Sequence, residues 1–149
     1  MCRVLIMGLP GAGKTTLAQS VVTKLGLALR SVTWLNADEI RKHYQDWDFS
    51  KEGRIRQSVR MRRLADNSTS DFVICDFVAP LQLQREVFEA DLTIWVDTIS
   101  AGRFEDTNKT FVPPHDYDLR VTEQDADKWS RIVVQMLLSY ERDKQAQHS

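Results

Sequence analysis

Gly8-Leu9-Pro10-Gly11-Ala12-Gly13-Lys14-Thr15-Thr16 follows the apolar run Val4-Leu5-Ile6-Met7 and precedes Leu17-Ala18, Val21-Val22 and Leu25. The run before it reads as a buried parallel strand. The spacing after it reads as an amphipathic helix with Gly26 in the C′ position. Strand, glycine turn and helix come in this order, with every fixed position of G-x-x-x-x-G-K-[ST] filled, and so predict a phosphate cradle. Glycines let the backbone curl until several N–H groups point at one phosphate, and the helix N-terminus adds partial positive charge. The expected ligand is ATP or GTP, held by Gly8, Pro10, Gly11, Ala12, Gly13, Lys14, Thr15 and Thr16. Lys14 would reach the β- and γ-phosphates, and the Thr15 hydroxyl would sit on Mg²⁺.

Working outward, Ser31–Leu35, Phe72–Cys75, Leu92–Val96 and Asp118–Val121 read as further strands. Helices are expected over Asp38–Tyr44, over Lys51–Asp66 with Ser50 as N-cap, over Leu81–Glu89, and onward from Thr122. In the Lys51–Asp66 helix, Ile55, Val59 and Leu64 are expected to face inward. The last helix carries the stripe Ala126, Trp129, Ile132, Val133, Met136, Leu137 and Tyr140, which reads as a core face. Residues 99–117 show no period and read as a long irregular loop able to serve as a lid. The alternation predicts an α/β chain, a single domain over residues 1–149 with the three-layer P-loop NTPase fold. Its sheet would be mostly parallel, with about five strands and helices on both faces.

Composition narrows the class further. The hydrophobic fraction of 42% and charged fraction of 28% suit a globular domain, and a net charge of −1 favours no particular partner. From Arg41 to Arg63, however, eight Lys/Arg stand against three acids, a local +5 that leaves −6 for the remainder. Such a cluster either collects a second anionic ligand or forms a solvated helix face. Cys2 and Cys75 lie on or beside buried strands in no metal or redox spacing, and the three histidines are scattered. No apolar run approaches a membrane span, so a cytoplasmic protein is expected.

P-loop proteins either activate water or aim a substrate hydroxyl at the γ-phosphate. Three features favour the second course. A domain this size has no room for a motor module, Asp38 sits one strand away at the ligand rim as a general base, and basic surfaces surround one phosphate. Asp76 ends the third strand, where it could hold Mg²⁺ through water. The GTPase signature N-K-x-D is absent, since Asn108-Lys109-Thr110-Phe111 lacks the aspartate.

From Leu5 to about Val121 the chain resembles the adenylylsulfate (APS) kinases. Gly8 to Ala18 is similar to their loop G-L-S-G-[SA]-G-K-[ST]-T-L-A, with Pro10 for serine. Asn36-Ala37-Asp38-Glu39-Ile40-Arg41 resembles D-G-D-N-x-R, which implies that Asp38 is the catalytic aspartate and Arg41 a substrate arginine. Residues 47–60 resemble L-G-F-S-x-x-D-R-x-x-N-x-x-R. That match implies Phe49 stacked on the adenine of APS, Arg54 and Gln57 on the substrate, and Arg60 beside them on its phosphosulfate. Phe77-Val78-Ala79-Pro80 resembles F-I-S-P, implying that Phe77 and Val78 line the acceptor pocket. The implied activity is Mg²⁺- and ATP-dependent conversion of APS to PAPS in sulfate assimilation.

The family's lid R-D-P-K-G-L-Y-K-K-A-R is missing. The shorter segment from Gly102 to Phe111 replaces it, with Arg103 and Lys109 as possible stand-ins for the lost lid cations; Glu39 and Gln57 replace asparagines. The expected partner is therefore a small anionic substrate. A nucleoside, polynucleotide or modified-base hydroxyl is the alternative acceptor, and a regulatory nucleotide-binding module without turnover is the alternative class. A homodimer is compatible with each.

Overall fold

The computed structural model describes residues 1–149 except Arg103 and Ser149. In chain order the elements are β1 (Cys2–Met7), α1 (Lys14–Leu27), β2 (Val32–Asn36), α2 (Ala37–Tyr44), α3 (Lys51–Asp66), β3 (Phe72–Asp76), α4 (Gln82–Phe88), β4 (Leu92–Val96), α5 (Glu105–Thr110), β5 (Leu119–Val121) and α6 (Ala126–His148). The strands form one parallel sheet in the order β2-β3-β1-β4-β5. The expected α/β architecture is the one found. Because all strands are parallel, their carboxyl ends gather on one rim. The chain crosses there from β3, on one side of β1, to β4 on the other. Open α/β sheets bind their ligands at such a rim.

The continuous apolar run of β1 is explained by two covered faces. Cys2, Val4 and Ile6 pack with Leu17, Val21 and Leu25 of α1 and Val133 and Leu137 of α6. Leu5 and Met7 point the other way, to Met61 and Ala65 of α3 and to Phe88 of α4. Each fully buried Leu or Ile side chain stabilises the fold by about 1.5–3 kcal/mol. A rigid central strand thus carries the glycine loop at its end.

Four local expectations are corrected. Gly26 lies inside α1. The helix closes instead with Arg30 N–H on the Leu25 carbonyl and Leu29 N–H on that of Gly26, so Leu29 takes the left-handed position at φ 61°. In α3 the buried face is Arg54, Gln57, Ser58, Met61 and Ala65, whereas Ile55, Val59 and Leu64 are half-buried. The first half of α3 lines a cleft, and its inward polar groups are satisfied by hydrogen bonds that a hydrophobic pattern does not register. The last helix starts at Ala126, capped by Asp125, whose Oδ1 accepts from Lys128 N–H at 3.2 Å, and not at Thr122. The segment 99–117 contains the short helix α5 rather than irregular chain throughout.

Candidate active site

The glycine loop has the backbone its sequence demands. Gly11 and Gly13 sit at φ 87° and 101°, where a side chain would be strained. Gly8 is fixed by space as well, since a Cβ there would stand 2.3 Å from the Val96 carbonyl oxygen. The loop's carbonyls are tied back. Thr98 Oγ1 donates to Ala12 O at 2.6 Å, and Gln124 Nε2 donates to Gly11 O and Ala12 O at 3.4 Å. Helix α1 begins at Lys14, so its first-turn N–H groups have no intrahelical acceptor and form an anion seat. Lys14 Nζ donates to Leu9 O at 3.0 Å, which folds the ammonium over its own loop.

Beside this loop the ends of β2 and β3 bring three polar side chains together. Parallel register sets Asn36 opposite Asp76. Asp76 Oδ1 accepts from Asn36 Nδ2 and Oδ2 from Trp34 Nε1, both at 2.7 Å. The same Asn36 amide donates to Thr15 Oγ1 at 3.3 Å. Burial pushes the Asp76 carboxyl above its ordinary range; the bonds from Trp34 and Asn36 and the charge of Lys14 oppose this, while Asp38 adds to it. Asp38 is exposed in the first turn of α2, where the helix favours a carboxylate, and lines the same cleft as Lys14 and Asp76.

That cleft encloses about 620 Å³ and extends from Lys14 and Asp38 to Arg41, Arg54 and Phe49. Arg41 is buried, its Nη1 donating to the carbonyls of Asp46 and Asp48 at 2.9 and 3.2 Å. Its guanidinium lies 4.4 Å from the centroid of Phe49, and that of Arg54 5.6 Å from it. Burial lowers the Arg41 pKa; Asp46 opposes this, and the like charges of Arg54 and Arg60 add to it. Two inward guanidiniums sharing one wall make a seat for an anion. Phe77, Val78 and Gln57 also line the cleft.

Arg60 is not part of that lining. It donates to Gln57 Oε1 at 2.7 Å and to Asp46 Oδ2 at 2.8 Å, so it braces Gln57, whose Nε2 holds Ala37 O at 3.1 Å. Arg56 and then Arg60 hold the Asp46 carboxylate well below its usual range. Arg103 lies outside the described residues. Lys109 is exposed and pairs with Glu105 within α5.

Several cleft residues carry no signal in the local sequence pattern. Trp47, Phe104, Thr107 and Gln84 all line the cleft. Gln84 Nε2 donates to Arg54 O at 3.2 Å and so fixes α4 to α3. Buried Arg85 donates to Ala79 O at 2.9 Å and also to Val112 O, stapling the exit of the 99–117 segment to the pocket wall. Burial lowers its pKa to about 10. At the entrance, Asn108 Oδ1 and Nδ2 bond both backbone groups of Gly102, at 2.7 and 2.9 Å. A Cβ on Gly102 would be 2.9 Å from Pro10 O, so this segment lies directly on the glycine loop. On the opposite side of the loop a cavity of about 230 Å³ is walled by Thr16, Thr98, Gln124 and Trp129. Among the described residues, Trp129 Nε1 is the buried side-chain donor without a partner.

The sequence profile of the family described as adenylylsulphate kinase matches residues 1–99. The cytidine diphosphoramidate kinase of Campylobacter jejuni is 32% identical over 60 residues, spanning 40% of this chain and 35% of that relative. The Mycobacterium tuberculosis APS kinase CysC, solved with AMPPNP and APS, superposes with a TM-score of 0.75 at 22% identity, covering 93% of this chain and 97% of that one. A hexameric APS kinase from Thiobacillus denitrificans gives 0.70 at 26% identity, over 93% of this chain and 29% of that one.

Proposed function

Because the chain belongs to the adenylylsulphate kinase family, we propose that it transfers the γ-phosphate of ATP to a hydroxyl on a small anionic acceptor. One observation carries this reading. Lys14 of the phosphate loop, the Asp38 carboxylate and the buried Arg41 and Arg54 line one cleft of about 620 Å³. A donor seat, a base and an anion seat on one wall are what transfer to an anionic alcohol needs, since positioning and electrostatics supply most of the catalysis.

In this reading Gly8 to Thr16 hold the triphosphate, and Lys14 offsets charge on its outer phosphates. The cavity at Trp129 takes the nucleoside, its unpaired indole N–H supplying a donor. Asp38 accepts the acceptor's hydroxyl proton as the oxygen attacks phosphorus. Arg41 and Arg54 hold the acceptor's anionic group, while Phe49, Phe77 and Val78 wall its body. Gln57, braced by Arg60, sets the spacing between α2 and α3.

Mg²⁺ fits the residues present. No cluster of three or more His, Cys, Asp or Glu occurs among the described residues, and Mg²⁺ characteristically takes one or two carboxylates plus substrate phosphates. Thr15 and, through water, Asp76 would hold it beside Lys14. When bound, the ion supplies charge neutralisation at the phosphate oxygens.

The acceptor we infer is a nucleotide bearing a second acidic group, with APS the leading candidate. Cytidine diphosphoramidate, after the Campylobacter relative, is the second candidate, because the exposed rings of Trp47, Phe49 and Phe104 at the cleft suit a flat base of either kind. The test is incubation with γ-labelled ATP against APS, cytidine diphosphoramidate, free nucleosides and a DNA oligonucleotide, with separation of the labelled products. Label on one of the first two supports the proposal. Label on DNA, or nucleotide binding with no labelled product, overturns it in favour of a polynucleotide kinase or a regulatory module.

A further inference from the structure

We propose that Asn36 is the positioning residue of the cation site, its side-chain amide joining Asp76 of β3 to Thr15 of α1. The inference rests on the kinase reading above and adds a residue that the phosphate-loop motif does not contain.

Three hydrogen bonds fix the orientation of this amide. Its oxygen must face Glu39 N–H, a donor 3.0 Å away, so its nitrogen faces the carboxylate of Asp76 at 2.7 Å. The second amide hydrogen is directed to Thr15 Oγ1 at 3.3 Å. A hydroxyl has two lone pairs, so Thr15 can accept from Asn36 and still offer one to a cation. Asp76 is held from the other side by Trp34, which lies two residues before Asn36 on the same face of β2. Both proposed metal contacts are thus locked by one side chain, and the β2–β3 register fixes where that side chain stands. Charge explains why an amide is required. An ionised carboxylate at position 36 could cap α2 but would set a second negative charge at hydrogen-bond distance from Asp76 and could donate neither to it nor to Thr15. The resembling motif D-G-D-N-x-R begins with aspartate at this place, and here the acid stands on β3 instead.

The test separates the amide from the cap. Asn36→Ser keeps an oxygen for Glu39 N–H and removes the link to Asp76 and Thr15. Mn²⁺ is titrated into protein saturated with AMPPNP, and free Mn²⁺ is read by electron paramagnetic resonance. Loss of an outer partner of a metal ligand characteristically weakens binding about 10–100-fold, and that loss is expected here. In parallel, the Trp34 indole N–H resonance, assigned with Trp34→Phe, should shift when Mg²⁺ is added to wild-type protein with AMPPNP, reporting on the shared Asp76. In Asn36→Ser the shift should need correspondingly more Mg²⁺. Mn²⁺ affinity within twofold of wild type at an unchanged melting temperature overturns the proposal while leaving the kinase reading intact. Wild-type AMPPNP binding that ignores both metals overturns both. Should the variant melt below the assay temperature, the wild-type spectrum decides, and an unmoved Trp34 resonance counts against the proposal.

Discussion

Asp38→Asn should separate chemistry from folding and from nucleotide binding. The side chain is exposed at the second residue of an eight-residue helix, so the isosteric change opens no cavity and leaves no buried group unpaired. The folding loss is that of one carboxylate near a helix N-terminus, about 0.3–1 kcal/mol. For a domain of this size that lowers Tm by about 1–4 °C. Nucleotide affinity should hold or tighten, because Asp38 contributes repulsion to the Asp76 carboxylate beside the phosphate loop. Removal of a positioned base should lower kcat about 10²–10⁴-fold. That corresponds to roughly 2.7–5.5 kcal/mol of lost transition-state stabilisation, several times the folding loss. The assay is phosphoryl transfer at saturating ATP and acceptor, alongside AMPPNP titration and thermal unfolding of the same preparation. A kcat loss under tenfold, or weakened AMPPNP binding, would show that Asp38 is not the base.

Gly8→Ala should fail structurally, since real Cβ contacts essentially never fall under 3.0 Å and this one would stand 2.3 Å from the Val96 carbonyl. Positive-φ strain and overpacking together predict a loss of about 2–6 kcal/mol by urea titration, against a total stability of about 5–15 kcal/mol. Arg41→Gln removes a charge-assisted contact worth about 1.5–3 kcal/mol, so KM for the acceptor should rise about 10–150-fold with AMPPNP affinity unchanged. Stability should fall as pH rises from 9 towards 12. Burial raises the Cys2 thiol from 9.0 to about 12 and Tyr140 to about 12, so the unfolded chain gives up protons in that window that the folded chain retains, and the urea midpoint should drop.

The phosphate loop was legible because Gly8, Gly11 and Gly13 answer a local demand, φ above zero, to which Gly8 alone adds a lack of room for a Cβ against the Val96 carbonyl. The helical layers on both sides of the sheet follow from β1 and β3, since apolar runs without alternation must be covered on both faces. Asp76 was legible only as a strand end. Its partner Asn36 was invisible as a ligand holder, because the contact between them is set by pairing of two strands forty residues apart. Gln84 and Arg85 were missed for a related reason. Their work is to bind backbone carbonyls of other elements, and no residue pattern within α4 announces which carbonyls will be near. The end of α1 misled in another way, as Leu29 adopts a conformation that propensity assigns to glycine, at a cost of roughly 1–2 kcal/mol.

The +5 stretch shows how the misread face of α3 and the choice of acceptor are one question. Arg41 and Arg54 turn inward to backbone carbonyls, and Arg56, Arg60 and Arg62 are held in ion pairs with Asp46, Asp48, Asp66 and Glu89. A polynucleotide would need a row of outward cations, each meeting a phosphate and releasing counterions. Here five of the eight positive side chains are committed inside the domain or along its own surface, and the two most buried converge on one cleft. A helix that turns arginine and glutamine inward must misalign any hydrophobic count, because its inner face is polar where it lines the cleft. The same inward turn limits the reach of the field, which favours the proposed small anionic acceptor over a polynucleotide.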